Sequence, residues 1–250
     1  MKNKKILLSI VLIIVVAIIV ALIIFNKNSS KENDKLVMVT EAGFAPYEFY
    51  EGEEVVGVDV EIAKKIAEKM GKTLEIKDTD FDSIINEIKT GKADFGAAGL
   101  SITPERLEEV DFSIEYATSK QVIVVKKDSS INGPDDLKGK KVAVQLGTIA
   151  DLTLSEETEI ELVQHKKYLL AVEDLMAGKV DAIVMDSLPA AEIIKENSGL
   201  KITDEELLTD KYGIAVKKGN TELLNTINEV LQELMDEGKI EEFTIKYLGE

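Results

Sequence analysis

The single arginine of this chain lies where a carboxylate could bind. All thirty basic residues are lysine except Arg106, which closes the segment G-L-S-I-T-P-E-R. Thr103 is a good N-cap and Pro104 suits the first helical position, so the free N–H groups of a helix start would lie beside a guanidinium that pairs bidentately with carboxylates. Ser101 and Thr103 could add hydroxyl or backbone contacts. The alternative is a capped helix whose arginine pairs with a surface acid such as Glu109.

A repeated pattern places an acid where it could face Arg106. The segments I-K-T-G-K-A-D-F-G-A-A-G and L-M-A-G-K-V-D-A-I-V-M-D each join a helix end to an apolar run that suits a buried parallel strand. We expect Asp94 and Asp181 to bind backbone where each strand begins, and ligands to bind beyond the strand ends. Asp186 ends the second copy. It could hold the ammonium of a zwitterionic α-amino acid whose carboxylate binds Arg106, or it could serve as a helix N-cap.

Aromatic and polar residues follow other predicted strands. Phe44 and Tyr47 lie in a loop after the first strand, and Phe81 begins a helix. Aromatic rings at strand ends could form apolar walls for a ligand, although each ring alone is more often part of a core. Gly147 and Thr148, in the segment Q-L-G-T, predict a turn whose backbone amides could contact a ligand.

The elements that must position these residues alternate between strand and helix. K-L-V-M-V-T and T-L-E-I-K-D have the composition of strands, and the segment between them places Ile62, Ile66 and Met70 on one helical face that ends at Gly71. A second amphipathic helix, F-D-S-I-I-N-E-I-K-T-G, follows. This βαβ order predicts an α/β fold with parallel strands.

Two similar strands predict the division of the chain into lobes. K-Q-V-I-V-V-K-K-D and Y-G-I-A-V-K-K-G each run into Lys-Lys, and we interpret them as the two crossovers of a hinge at residues 123–126 and 213–217. The first lobe would then contain residues 36–122 plus 218–250, and the second would contain residues 127–212. The alternative is that the two strands are neighbours in one sheet.

Composition excludes several classes of function. A net charge of −17 disfavours binding to nucleic acid, and the absence of cysteine excludes disulfides, thiol nucleophiles and cysteine metal sites. With His165 as the only histidine, neither a histidine metal site nor a catalytic triad is expected. We therefore predict a binding protein rather than an enzyme, with no cofactor or metal.

The N-terminus has the pattern of a membrane segment. Residues 6–25 are all apolar except Ser9, and they follow three lysines. Such a segment is long enough to span a bilayer, and the preceding positive charges predict an exported C-terminal body. We expect residues 1–25 to be a signal peptide or, preferably, an uncleaved membrane anchor, and residues 26–34 to be a tether. The protein would then be extracytoplasmic and held at the outer face of the cell membrane, or secreted if this segment is cleaved.

Motifs along residues 35–249 resemble one known family. They are F-A-P-Y-E-F, V-G-V-D-V-E-I-A, F-D-S-I-I, G-K-A-D, S-I-T-P-E-R-L-E-E-V-D-F-S, V-Q-L-G-T, G-K-V-D-A-I-V-M-D and Y-G-I-A-V-K-K-G. On these motifs the chain is similar to the solute-binding proteins of polar amino-acid ABC importers. The resemblance implies a two-lobed type II periplasmic-binding-protein fold that closes around an amino acid and delivers it to an ABC permease with its ATPase. We expect a monomer.

The resemblance also implies roles for individual residues. Arg106 matches the residue that grips the α-carboxylate, and Asp186 matches the acid that holds the α-amino group. The remaining matches are two residues that help the arginine, two aromatic walls and one backbone contact, which are Ser101 and Thr148, Phe44 and Phe81, and Gly99.

Some positions depart from the family pattern or leave the ligand open. The chain lacks the cysteine that carries a lipid in many relatives, so the N-terminal helix would provide the tether. Ile149 stands where many relatives have Thr or Gly, which indicates a partly apolar pocket. Glu41 matches a position where binders of basic amino acids often hold an acid, whereas Gln145 could pair with an amide.

Two other classes of function remain as alternatives. A sensory ligand-binding subunit would signal through a partner protein. A dehydratase-like enzyme on the same fold would need an acid or base near Arg106, and only Glu41, Glu48 or Lys120 could serve.

Overall fold

The computed structural model describes residues 34–249, which form two α/β lobes and one small antiparallel sheet. The predicted segment 1–25 and almost all of the predicted tether lie outside the described residues. No helix between residues 34 and 249 is both long and apolar enough to span a membrane.

The strands of the described region follow the chain in this order: β1 (Lys35–Thr40), β2 (Gly43–Phe44), β3 (Glu48–Glu51), β4 (Glu54–Val56), β5 (Thr73–Asp78), β6 (Phe95–Gly96), β7 (Val110–Phe112), β8 (Ala117–Lys126), β9 (Lys141–Gln145), β10 (Glu161–His165), β11 (Ala182–Asp186), β12 (Leu200–Tyr212) and β13 (Ala215–Lys217). The α-helices are α1 (Val58–Met70), α2 (Ile84–Lys89), α3 (Pro104–Glu109), α4 (Ile149–Leu154), α5 (Tyr168–Ala177), α6 (Ser187–Glu196), α7 (Thr221–Asp236) and α8 (Lys239–Leu248). Short 3₁₀ helices span Phe81–Ser83 and Pro134–Leu137.

The first lobe is built on a five-stranded sheet with the order β5-β1-β6-β13-β7. Strands β5, β1 and β6 are parallel, and β13 is antiparallel to both of its neighbours. As predicted, α1 buries Ile62 and Ile66 and ends at Gly71, whose left-handed φ of 63° closes the helix. The small sheet β2-β3-β4 follows β1 and carries Phe44 and Glu48 towards the second lobe.

The second lobe has a sheet of the same size with the order β10-β9-β11-β8-β12. Strands β10, β9 and β11 are parallel, whereas β8 is antiparallel to β11 and β12 is antiparallel to β8. Every residue of β11 is buried, as its apolar sequence predicts.

The repeated Gly-Lys-x-Asp pattern has the same structural role in both lobes, as predicted. The Asp94 carboxylate accepts a hydrogen bond from the backbone N–H of Val37 at 2.7 Å, and Asp181 accepts one from the N–H of Lys141 at 2.9 Å. Each aspartate thus ties the start of its own strand, β6 or β11, to the start of the neighbouring parallel strand.

The first crossing between the lobes lies before the strand that was predicted to form the hinge, whereas the second lies at the start of the predicted segment 213–217. All of β8, residues 117–126, pairs in the second sheet, and β13, residues 215–217, pairs in the first. The chain leaves the first sheet after Phe112 and returns to it after Tyr212. The two crossings run side by side, since the Tyr116 N–H donates to the Tyr212 carbonyl at 3.0 Å and the Ser113 N–H donates to the Ile214 carbonyl at 2.9 Å.

The predicted lobe boundary at the first crossing is therefore wrong by several residues. Residues 117–122 belong to the second sheet instead of the first lobe, residues 123–126 form a buried strand of that sheet, and residues 215–217 form a strand of the first sheet. The alternative of two neighbouring strands in one sheet is also wrong. An apolar run that ends in Lys-Lys indicates a buried strand with a solvated end, but it carries no information about the sheet in which that strand pairs.

Candidate ligand-binding site

A narrow cavity lies between the two lobes, at the carboxyl ends of parallel strands. Most of the sequence-predicted site residues line it, together with Glu48. The first lobe contributes Glu41, Phe44, Glu48, Phe81, Gly99 and Ser101, and the second contributes Gln145, Thr148, Ile149 and Asp186. The cavity has a volume of about 10 Å³, which is room for about one water molecule.

Arg106 lies beside this cavity in the first turn of α3 and is 93% buried, with 7% of its surface exposed. Its Nη1 donates to the Ser101 carbonyl at 2.7 Å, and its Nη2 reaches the Gly147 carbonyl of the second lobe at 2.8 Å. The guanidinium carbon is 5.5 Å from the centre of the Phe81 ring. Burial lowers the pKa of Arg106 to about 10, against the attraction of acids from the second lobe, so the side chain stays cationic at neutral pH.

Two features around Arg106 clarify the sequence predictions. Thr103 is the N-cap of α3, and its hydroxyl oxygen accepts from the Arg106 N–H at 3.2 Å, so this side chain supports the helix start instead of lining the cavity. Glu109, the alternative partner for the arginine, forms an ion pair with Lys89.

Asp186 ends β11 on the opposite side of the cavity and is almost fully buried. Its carboxylate accepts hydrogen bonds from the Gln121 side-chain amide at 2.7 Å and from the Tyr212 hydroxyl. Burial raises the pKa of Asp186, and these donors oppose that rise. Asp186 occupies the N-cap position of α6, but its side chain makes no capping hydrogen bond, so its carboxylate is directed towards the interior.

Aromatic rings form one wall of the cavity. Phe44 stacks on Tyr47 and on Tyr168 of the second lobe, with ring centroids 5.8 Å and 6.1 Å apart. Gly99 has a φ of 52°, and a Cβ at this position would lie only 2.7 Å from the Phe44 ring. Glycine is therefore required both for its backbone conformation and for the close approach of Phe44.

The turn after β9 presents the other side of the cavity. Thr148 is the N-cap of α4, and its hydroxyl donates to the Gln145 carbonyl at 2.8 Å and accepts from the Asp151 N–H at 3.3 Å. Gly147 has a left-handed φ of 82° and lies close to Asp82 of the first lobe. Thr148 therefore lines the cavity with a hydroxyl that also holds this turn.

Glu41 follows β1 and is 2% exposed. Its carboxylate bonds two groups of the second lobe, the Lys167 ammonium at 2.5 Å and the Gln145 side-chain amide at 3.3 Å. Gln145 also donates to the Lys166 carbonyl at 2.9 Å. Glu41 and Gln145, which indicated different ligands in the sequence, are thus direct neighbours.

Glu48 and Asp59 form a buried pair of acids that the sequence analysis did not predict. The Asp59 carboxylate accepts from the Tyr116 hydroxyl at 2.7 Å and from the Gly99 N–H at 3.0 Å. Neither carboxyl oxygen of Glu48 has a hydrogen-bond partner among residues 34–249. Burial and the adjacent Asp59 raise the pKa of Glu48 well above its usual range. Burial also raises the pKa of Asp59, to about 6, although its donors oppose the rise. Burial beside Asp59 therefore favours the protonated, neutral form of Glu48.

Asp210 is a second unpredicted acid near the crossings. It lies near the end of β12 and accepts a hydrogen bond from the Ser101 hydroxyl of the first lobe. Burial and then Asp186 raise the pKa of Asp210 to about 6, while Ser101 and Arg106 oppose the rise. Arg106 therefore lies within the electrostatic reach of two acids from the second lobe.

Simple signals existed for only some of these unpredicted residues. Asp59 shares the buried helical face of Ile62 and Ile66, and an acid on an apolar face needs a partner. Tyr212 and Asp210 gave no such signal, because their partners are distant in the sequence. Lys120, considered as a possible enzymatic group, is exposed and forms an ion pair with Glu206 at 2.6 Å.

Two α/β lobes that enclose a cavity at their strand ends define the type II periplasmic-binding-protein fold, the class of the solute-binding proteins. The family model of the bacterial extracellular solute-binding proteins, family 3, matches residues 36–250, and the chain belongs to this family.

Known amino-acid-binding proteins are similar along most of the chain. The arginine-binding extracellular protein ArtP of Bacillus subtilis is 35% identical over 250 residues, which cover 98% of each chain. The arginine-bound form of truncated ArgBP from T. maritima is 41% identical, has a TM-score of 0.79, and is matched over 83% of this chain and 99% of its own. An ancestral arginine-binding protein bound to glutamine is 40% identical with a TM-score of 0.81, matched over 87% and 99%. All three are binding proteins, and none supports the sensory or enzymatic alternative.

Proposed function

We propose that this solute-binding protein captures a cationic α-amino acid, with L-arginine as the first candidate, and delivers it to the permease and ATPase of an ABC importer. The observation that carries the proposal is that Asp186 of the second lobe lines the cavity, while Arg106 of the first lobe lies beside it, against the cavity-lining residues Ser101 and Phe81. Arg106 would bind the α-carboxylate as a planar fork, and Asp186 would bind the α-ammonium. Phe44 and Phe81 would cover the aliphatic part of the ligand.

The third charged group argues for a cation on the ligand side chain. Glu41 lines the cavity with a buried carboxylate that is already paired with the Lys167 ammonium, so this position of the site accommodates a positive charge. Ile149 adds an apolar side chain to the wall of the cavity. The arginine-binding relatives support this assignment, whereas the glutamine complex of the ancestral protein keeps a neutral amide ligand as the second candidate.

Binding would require the lobes to separate. A cavity of about 10 Å³ does not admit an amino acid, so we propose that the lobes open about the crossings next to Tyr116 and Tyr212 and close around the ligand. We also propose that residues 1–25 tether the protein to the outer face of the cell membrane. The exported location of the binding domain accords with the extracellular family.

Calorimetric titration of the detergent-purified full chain with the twenty amino acids tests the proposal. We expect arginine to bind, and Arg106→Ala to abolish binding because the ligand carboxylate loses its charged partner. Arg106→Lys is the matched variant, since it keeps the charge but loses the fork, and we expect it to weaken binding by at least about tenfold. If no amino acid bound the unmodified chain, the proposal would be overturned.

A further inference from the structure

Each charged group proposed to grip the ligand already has a partner within the chain. Arg106 donates to a backbone carbonyl of the second lobe at 2.8 Å. Asp186 accepts from the Gln121 amide at 2.7 Å and from the Tyr212 hydroxyl. Glu41 is held by the Lys167 ammonium at 2.5 Å. Among these partners only Lys167 is charged. Its ammonium therefore has the positive charge, and occupies the place against Glu41, that we propose for the side-chain cation of the ligand.

The surroundings of Lys167 allow its ammonium to pair with Glu41 and also to move away from Glu41 into solvent. The residue is the N-cap of α5, its side chain is 36% exposed, and its Nζ lies 3.9 Å from the Asp78 carboxylate. Partial burial lowers the pKa of Lys167, but the hydrogen bond and charge of Glu41, together with the charges of Asp78 and Asp80, outweigh this effect and raise the pKa above its ordinary value. Because the side chain is partly exposed, its ammonium can reach solvent. The Asp78 carboxylate is a second acid with which the ammonium can pair when it leaves Glu41.

A ligand cation and the Lys167 ammonium cannot share Glu41 without cost. Two positive charges a few ångströms apart repel each other, and this repulsion is stronger in a partly buried site than in water. Gln145 already uses the other oxygen of the Glu41 carboxylate, at 3.3 Å. A cationic ligand must therefore displace Lys167, whereas a neutral ligand of the same shape can leave the ion pair intact.

We propose that Lys167 is a specificity-determining residue whose ammonium competes with the cationic side chain of the ligand for the Glu41 carboxylate. This inference rests on the proposed function, because it presumes that the ligand places a cation against Glu41. Lys167 thereby weakens the binding of cationic amino acids relative to neutral ones.

The test compares arginine with citrulline, which has nearly the same shape but no charge on its side chain. Calorimetry on the full chain should show that Lys167→Met lowers the dissociation constant for arginine about tenfold and leaves that for citrulline within about twofold. Lys166→Met is the matched control, because Lys166 also forms an ion pair across the cleft, with Asp80, but does not contact Glu41. It should change neither constant by more than about twofold.

The other outcomes have distinct meanings. A gain for arginine without an equal gain for citrulline supports the inference. Unchanged arginine affinity, or an equal loss for both ligands, overturns it, and an equal loss would identify the Lys167 ion pair as a latch of the closed cleft instead. If the unmodified chain bound no amino acid, the proposed function itself would fail. If it bound arginine and Lys167→Met had no effect, only the role of Lys167 would be refuted.

Discussion

The charges of the site are paired before any ligand enters. Arg106, Asp186 and Glu41 are each buried, and each is compensated by groups of the chain itself, because an uncompensated buried charge would destabilise the fold. A ligand with two or three charges therefore exchanges partners with the protein. Its affinity depends on how readily those internal partners are released.

Glu48 and Asp59 are two acids buried next to each other, and we expect a measurable linkage between pH and stability. The pKa of Glu48 is raised in the folded protein above its ordinary value of 4.5, so its contribution to stability is complete below about pH 4.5 and declines as pH rises towards the folded pKa. Glu48→Gln keeps a neutral side chain of similar size beside Asp59 and removes this titration. The variant should gain stability relative to the unmodified chain as pH rises, by up to about 1.4 kcal/mol per pH unit.

Urea unfolding of both proteins at pH values from 4 to 8 measures this difference. Parallel pH dependences of the unfolding free energy would refute the raised pKa of Glu48. The same experiment also distinguishes an effect of titration from an effect of packing. A change in packing caused by the glutamine would offset the two stability curves by the same amount at every pH.

The turn after β6 shows how one short element sets the shape of the cavity. Gly99 combines a left-handed φ of 52° with an N–H bound to Asp59 and a Phe44 ring that fills the space of a side chain. Local conformation, the acid pair and the aromatic wall therefore meet at a single residue.

We expect Gly99→Ala to destabilise the protein and displace Phe44. A Cβ would lie 2.7 Å from the ring, so the ring must move, and the loss should exceed the cost of the backbone strain by about 1–3 kcal/mol. Gly139→Ala is the control, because Gly139 also has a positive φ, of 72°, but has open space around it. Thermal unfolding of both variants provides the comparison, and equal losses would show that backbone strain alone matters.

At the scale of the whole molecule, the close approach of the two lobes depends on Gly147. An added Cβ at Gly147, in the second lobe, would lie 3.2 Å from both the Cα and the Cβ of Asp82 in the first lobe. The backbones of the two lobes thus approach each other closely at this point, next to the carbonyl that Arg106 binds.

Gly147→Ala should hold the lobes apart and weaken ligand binding. We expect about a tenfold loss of arginine affinity, with a loss of stability close to that of Gly139→Ala, since both glycines have a positive φ, of 82° and 72°. Calorimetry and thermal unfolding measure the two effects separately. Unchanged affinity in Gly147→Ala would indicate that closure does not bring these backbones into contact.

Local patterns accounted for much of this protein. The period of apolar residues located β1 and α1, and the repeated Gly-Lys-x-Asp segments located β6 and β11 together with the backbone contacts of Asp94 and Asp181. Because ligands of such sheets bind beyond the strand ends, the same patterns indicated Ser101, Thr148 and Asp186, whereas Glu41, Gly99, Gln145 and Ile149 were predicted only from the family resemblance. These features depend on residues close in sequence, so a single sequence contains the information.

Contacts between distant residues could not be read in this way. Glu41 and Lys167 are 126 positions apart, Ser101 and Asp210 are 109 apart, and the pairing of Asp186 with Tyr212 depends on how β12 returns along β8. The misplaced lobe boundary has the same origin, since periodicity reports whether a strand is buried but not which strand lies beside it. Burial patterns are set locally, whereas the choice of partners depends on the path of the whole chain.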